Sequence, residues 1–129
     1  MKLQQQALKC LSDYLAREGD DMTLNQFQVV SSSTVDEKLS YRETLEHALY
    51  GLGAECGEVL SIFQKQLQGH KIDAADLREE LGDVMWFIAT LCSIFGWTMA
   101  EVAHGNVQKR NRRYPGGRFN PERSVNREV

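Results

Sequence analysis

Residues 52–62, LGAECGEVLSI, and residues 77–87, LREELGDVMWF, carry one pattern twice: L-x-x-E-x-G-[ED]-V-x-x-[IF]. Wound as an α-helix at about 100° per residue, the first stretch places Leu52, Val59 and Ile62 within about 60° of Glu55. The second places Leu77, Val84 and Phe87 in the same way around Glu80. Each glutamate therefore lies inside the apolar stripe of its own helix, with Glu58 and Asp83 at the stripe's edge one turn further on. An acid aimed at a core is costly unless something compensates it. Four carboxylates drawn together also repel one another, and a divalent cation relieves both problems. With only oxygen donors on offer, the ion suited to the set is a hard one, Mg²⁺ or Mn²⁺, which keeps coordination positions for water and phosphate. A lone ExxE or ExxD pair is ordinarily a solvated helix face; the matched repetition inside two apolar stripes is what points to a metal. Ferritin-like di-iron bundles use Glu-x-x-His. No histidine follows Glu55 or Glu80 at that spacing, so iron ranks below magnesium, and His47, His70 and His104 are given no ligand role.

Outward from these two stretches, start and stop signals divide the chain into helices. Thr23 with Gln26, Ser40 with Glu43, and Thr98 with Glu101 match the capping box, and Asp73 with Asp76 is a looser version. Gly69 and Gly96 supply stops, and Pro115-Gly116-Gly117 ends the last helix. The expectation is five helices, near residues 2–17, 24–37, 41–68, 74–95 and 98–113, followed by an irregular basic tail over 114–129. Leu3, Leu8, Leu11 and Leu15 sit at helical spacing, so the first helix should pack. Short connections imply antiparallel neighbours. The fold class is thus all-α: an antiparallel four-helix-bundle-like core with an additional N-terminal helix, in a single domain over residues 1–129. Gly57 and Gly82 each cost about 1 kcal/mol relative to alanine in a helix. They point away from the acids, and close approach of another helix, from the bundle or from a second subunit, would account for them.

Length and composition agree with one ordinary globular domain. A chain of 129 residues is long enough for one core, and 42% hydrophobic with 26% charged residues describes neither a disordered nor a disulfide-built protein. The net charge of −3 exerts no general pull toward nucleic acid polymers or anionic membranes. Cys10, Cys56 and Cys92 are odd in number and form no CxxC pair, so they read as buried thiols. The opening residues contain no apolar stretch of the secretory type, and a reducing cytoplasm is the expected compartment. The longest uncharged run, Val84 to Ala100, falls short of the roughly 20 apolar residues of a membrane span and reads as a core helix.

The charge is unevenly distributed. Lys109, Arg110, Arg112, Arg113, Arg118, Arg123 and Arg127 crowd the end of the chain. On the last helix Met99, Val102, Asn106, Lys109 or Arg110, and Arg113 recur at helical spacing, so an apolar stripe turns polar and cationic along its length. That end suits a phosphate chain, with arginine for bidentate contact and lysine as a point charge.

Taken together, the segment from about Leu45 to Arg127 resembles the MazG-like, all-helical nucleotide pyrophosphohydrolases. The matching elements are Glu55-x-x-Glu58, a gap of 21 residues, Glu80-x-x-Asp83, then Asn106-x-x-Lys109 and Arg113-Tyr114-Pro115. The ending from Gly117-Arg118-Phe119 through Ser124-Val125-Asn126-Arg127 also looks like the tails of short members. The resemblance implies Mg²⁺ held by Glu55, Glu58, Glu80 and Asp83, with water attacking a phosphoanhydride and pyrophosphate leaving. It implies that Asn106, Lys109 and Arg113, beside Tyr114, hold the triphosphate, and that the protein is a homodimer or homotetramer whose sites borrow side chains from a neighbour. Phe27, Gln28 and Thr34 match the family's first helix loosely, at the nucleobase pocket, which leaves residues 1–22 as an N-terminal addition. Glu55 is the first choice for a general base.

The function expected is Mg²⁺-dependent hydrolysis of a (deoxy)nucleoside triphosphate to the monophosphate and pyrophosphate, for nucleotide house-cleaning or pool control. Two rivals share the architecture, the dimeric dUTPases and the phosphoribosyl-ATP pyrophosphohydrolases. A third reading, of another kind, is a non-catalytic helical interaction module.

Overall fold

A computed structural model of the chain describes residues 2–17, 19 and 21–126. Six helices follow in order: α1 (Lys2–Leu15), α2 (Leu24–Ser31) running into a 3₁₀ turn (Ser32–Thr34), α3 (Tyr41–Leu67), α4 (Ala74–Ile94), α5 (Met99–Arg113) and the short α6 (Pro121–Val125). The described residues contain no strand, and the all-α expectation holds.

Three helix starts are built by the reciprocal caps that the sequence announces. The Thr23, Ser40 and Thr98 hydroxyls accept from the backbone N–H three residues on, and Gln26, Glu43 and Glu101 return a bond to the cap backbone. Asp73 caps α4 alone, accepting from the Ala75 N–H at 2.8 Å. Gly69 and Gly96, at φ +94° and +72°, end α3 and α4. The next residues close back onto the helix, His70 to the Lys65 carbonyl and Trp97 to that of Cys92.

Two expectations about the course of the helices are corrected. The second helix stops at Ser31 instead of reaching 37, because the next hydroxyls bond backward. Ser32, Ser33 and Thr34 donate to the carbonyls of Val29, Val30 and Ser31, which competes with continuation of the helix. The tail is not wholly irregular, since Asn120 caps α6 by accepting from the Arg123 N–H and Pro121 occupies its first turn.

The frame is the α3–α4 hairpin, the most heavily contacted pair of elements. Its antiparallel register shows in Gly51 meeting Phe87 while Glu55 meets Glu80 and Asp83. The Phe87 ring occupies the space a Cβ would take on Gly51. It is fixed there by Trp86 at 4.9 Å and His47 at 5.7 Å between ring centroids. The close approach therefore falls on Gly51. Gly57 and Gly82 have nothing within 4 Å of an added Cβ, so the expected approach of a helix from the same bundle does not occur there.

α2 lies across α4 and braces its junction with α5, where the chain turns by 100°. The Gln28 amide donates to Ser93 Oγ (3.1 Å) and the Trp97 carbonyl (2.9 Å) and accepts from the Met99 N–H (2.8 Å). Asn25 accepts from the Ala100 N–H. Orphan donors in the first turn of α5 are thus satisfied from another helix. Ala89, Cys92 and Met99, with Phe27 and Ile88 against them, form the small core beneath. α1 packs on α2 and the 3₁₀ turn through the fully buried Ala7; Leu3, Leu8 and Leu15, expected at the contact, are exposed.

Among the described residues no large side chain is fully buried. Leu49, Tyr50, Leu60, Phe63 and Leu67 of α3 and Leu81 and Met85 of α4 stand open to solvent. The chain exposes 10144 Å² at 14.7 kDa. A folded monomer of that mass shows about 6,900 Å². Cys56 is exposed and Cys10 half-buried, so of the three thiols only Cys92 is buried as expected.

Candidate metal and nucleotide site

Glu55 on α3 and Glu80 and Asp83 on α4 come together about one turn from the Gly51–Phe87 contact. One carboxylate oxygen from each lies within 4.8 Å of the others. Glu55 and Glu80 are half-buried, as side chains within an apolar stripe should be, and Asp83 is exposed. Glu58 is exposed and stands outside this trio, although its charge reaches Glu80. The Glu80 carboxyl is held above the ordinary carboxylate range, first by desolvation, then by the negative charges of Glu55, Glu58 and Asp83, and by a side-chain hydrogen bond with Glu55. A proton is thus favoured where the acids crowd, and a cation answers the same need. No histidine or cysteine joins the group, and an all-oxygen set fits a hard divalent ion.

The basic residues lie on another helix, α5. Asn106 and Lys109 are exposed on α5 and Arg113 is half-buried at its end. The described ion pairs are Arg17–Asp21 and Arg42–Glu46, and neither joins α5 to the acids. Tyr114 is buried at the end of α5, its ring 5.5 Å from that of Phe119, so it packs the tail turn against the helix. Arg118 and Arg123 lie in the described tail and Arg127 lies outside the described residues.

Phe27 belongs to the small core, and the polar atoms of Gln28 are committed to Ser93, Trp97 and Met99. Thr34 accepts from the Trp86 indole N–H at 2.8 Å, tying the 3₁₀ turn to α4. His47 is a packing group against Trp86 and Phe87. Sequence reasoning missed this aromatic trio, whose signal was the Trp86-Phe87 pair directly after the second acidic motif. It also missed a cavity of about 290 Å³ between α1, α2, α3 and α4, lined in part by Gln28, Thr44, Thr90 and Ile94.

Fold and donor set together define an all-helical protein with an acidic cluster at the seam of its central hairpin. Residues 43–117 match the MazG nucleotide pyrophosphohydrolase domain, more than half of the chain, and the protein belongs to that family. Members of the family typically depend on a divalent metal. The match takes in α3 from Glu43 onward, α4 and α5 with all four acids; α1, α2 and the tail beyond Gly117, including nearly all of the part expected to resemble short members, lie outside it. Neither a curated protein nor a solved structure matches the chain. No single described helix is long and apolar enough to cross a membrane.

Proposed function

We propose that the protein hydrolyses a nucleoside or deoxynucleoside triphosphate to the monophosphate and pyrophosphate with Mg²⁺, in nucleotide house-cleaning or pool control in the cytoplasm. The observation that carries this reading is the meeting of Glu55, Glu80 and Asp83 within the family-matched hairpin, with Glu80 pushed toward protonation by its neighbours.

Glu55, Glu80 and Asp83, with Glu58 one turn away, would hold the ion, and Mn²⁺ would serve in its place. Bound there, the metal supplies charge neutralisation to the phosphate oxygens and acidifies water. The rest falls to the chain. Glu55, beside Glu80 and Asp83, would take the proton of the attacking water. Lys109 and Arg113, with Asn106, bind the triphosphate, which suits a reaction needing mostly positioning and positive charge.

Those cations leave the hairpin on a helix turned by 100°, so we assign them to the site of a neighbouring subunit in a homodimer or homotetramer. Support comes from surface. The chain exposes about 3,200 Å² more than a monomer of its mass. Buried on each of two chains, that excess would make an interface at the large, obligate end of the known sizes. The open back faces of Gly57 and Gly82 and the exposed leucines of α3 are where a second copy would pack.

Glu80→Gln is the test. It keeps the shape of the side chain and removes a charged ligand, so pyrophosphate release should vanish while the helical circular dichroism spectrum is unchanged. Retained turnover in a folded variant would overturn the role given to the cluster.

A further inference from the structure

We propose that the cavity between α1, α2, α3 and α4 receives the base of the substrate and that its Glu37 carboxylate selects bases carrying an exocyclic amino group. This rests on the nucleotide hydrolase reading and adds a substrate class to it.

Position comes first. On α4, Thr90 and Ile94 lie within about 20° of the direction of Asp83, and on α3 Thr44 lies within about 20° of that of Glu55. All three line the cavity. Cavity and acids therefore share one seam of the hairpin, separated by about 10–16 Å along the helix axes at 1.5 Å per residue. A sugar and phosphate chain is long enough to cover that interval, passing over the Gly51–Phe87 contact that lies between the two. The volume of about 290 Å³ is at the lower end of small-ligand pockets.

Hydrogen-bonding capacity comes second. The hydroxyls that line the cavity have their protons committed: Ser31 to the Phe27 carbonyl, Ser32 to Val29, Thr44 to Ser40 and Thr90 to Trp86. What they still offer is lone pairs. Gln28 has both amide hydrogens engaged, and Ser93, accepting from Gln28, keeps its hydroxyl proton as a donor. The Glu37 carboxylate is acceptor-only. The Gln4 amide of α1 faces Glu37, and with its nitrogen turned to that side it would donate to both carboxylate oxygens and keep its carbonyl as a further acceptor. The wall is mainly apolar, and the polar groups in it are mostly acceptors. A ligand edge bearing an amino group complements it, while a carbonyl in the same place meets lone pairs with lone pairs. Leu3 and Gln4 of the N-terminal addition, and Glu37 in the turn before α3, all lie outside the family-matched segment, so this selectivity is not set by that segment.

The experiment compares kcat/KM of the full chain with Mg²⁺ for two pairs that differ in an amino group, GTP against ITP and CTP against UTP. At least about a fivefold preference for the amino-bearing member is expected in one pair or both. Glu37→Gln, which offers a donor beside its acceptor, should remove that preference by slowing the amino-bearing substrate only. Equal turnover within both pairs overturns the proposal, and so does a variant that slows all four nucleotides alike, the mark of a merely structural role. Should no nucleotide release pyrophosphate, the hydrolase reading fails separately. The cavity is then decided by isothermal titration of guanosine against inosine and cytidine against uridine, where equal affinities in both pairs reject it.

Discussion

Replacing Gly51 with alanine puts a methyl group where the Phe87 ring now lies. A ring edge can often swing aside cheaply. Here Trp86 stands edge-on at 4.9 Å and His47 tilted at 5.7 Å, so relief requires α3 and α4 to part or the trio to repack. Overpacking of this kind costs about 1–3 kcal/mol. Exchanging glycine for alanine within a helix returns about 1 kcal/mol. The overlap with the ring is severe, so the upper part of the overpacking range, about 2–3 kcal/mol, applies; the expected net loss of about 1–2 kcal/mol is read as a melting temperature lower by roughly 3–8 °C at fixed protein concentration. Glu55 lies four residues on, about 6 Å along the axis, so parting the helices also misplaces it against Glu80 and activity should fall with stability. Combining Gly51→Ala with Phe87→Leu should recover part of the loss, because the two changes act on one contact. A Gly51→Ala variant as stable as the parent, or strict additivity in the double variant, would refute the packing described for the seam.

Other outcomes follow from the same structure. Glu80 is raised above its ordinary range, so its protonation favours the folded, metal-free protein at low pH, and that contribution is lost as pH rises through the raised value. Urea midpoints measured in EDTA should therefore show the parent losing ground to Glu80→Gln as pH rises toward neutrality, and Mg²⁺ affinity should fall as pH drops into that range; parallel pH profiles for the two proteins would count against it. Gln28→Ala removes three hydrogen bonds at the junction of α4 and α5 and should cost about 2–3 kcal/mol in chemical denaturation, an unchanged midpoint contradicting the brace. Light scattering at micromolar concentration should give at least twice 14.7 kDa, and a monomer would remove the explanation offered for the exposed face.

What could be read in advance was what short-range chemistry decides. Thr23, Ser40 and Thr98 marked their helices because a cap needs only residues three positions apart. The seating of Glu55 and Glu80 followed from period alone. Competition between local bonds was harder to foresee. The run Ser31-Ser32-Ser33-Thr34 shortened α2 although its helical pattern continued, and Asn120-Pro121 started α6 within a tail short of apolar residues. Contacts across helices were not legible. Whether Gly51 or Gly57 receives a neighbour depends on the rotation of α3 against α4 and on the size of Phe87. Gln28 finds its partners 65 to 71 residues away, and no local pattern announces them. Of the four acids, the pattern could not tell that Glu58 would stand apart from the trio formed by the others.

The most direct measurement is identification of products by ³¹P nuclear magnetic resonance after the full chain, with Mg²⁺, is given a nucleoside triphosphate. Equimolar monophosphate and pyrophosphate, abolished by EDTA, is the expected result. Diphosphate with orthophosphate, or an unchanged triphosphate across all the common bases, would contradict a pyrophosphohydrolase built on these carboxylates.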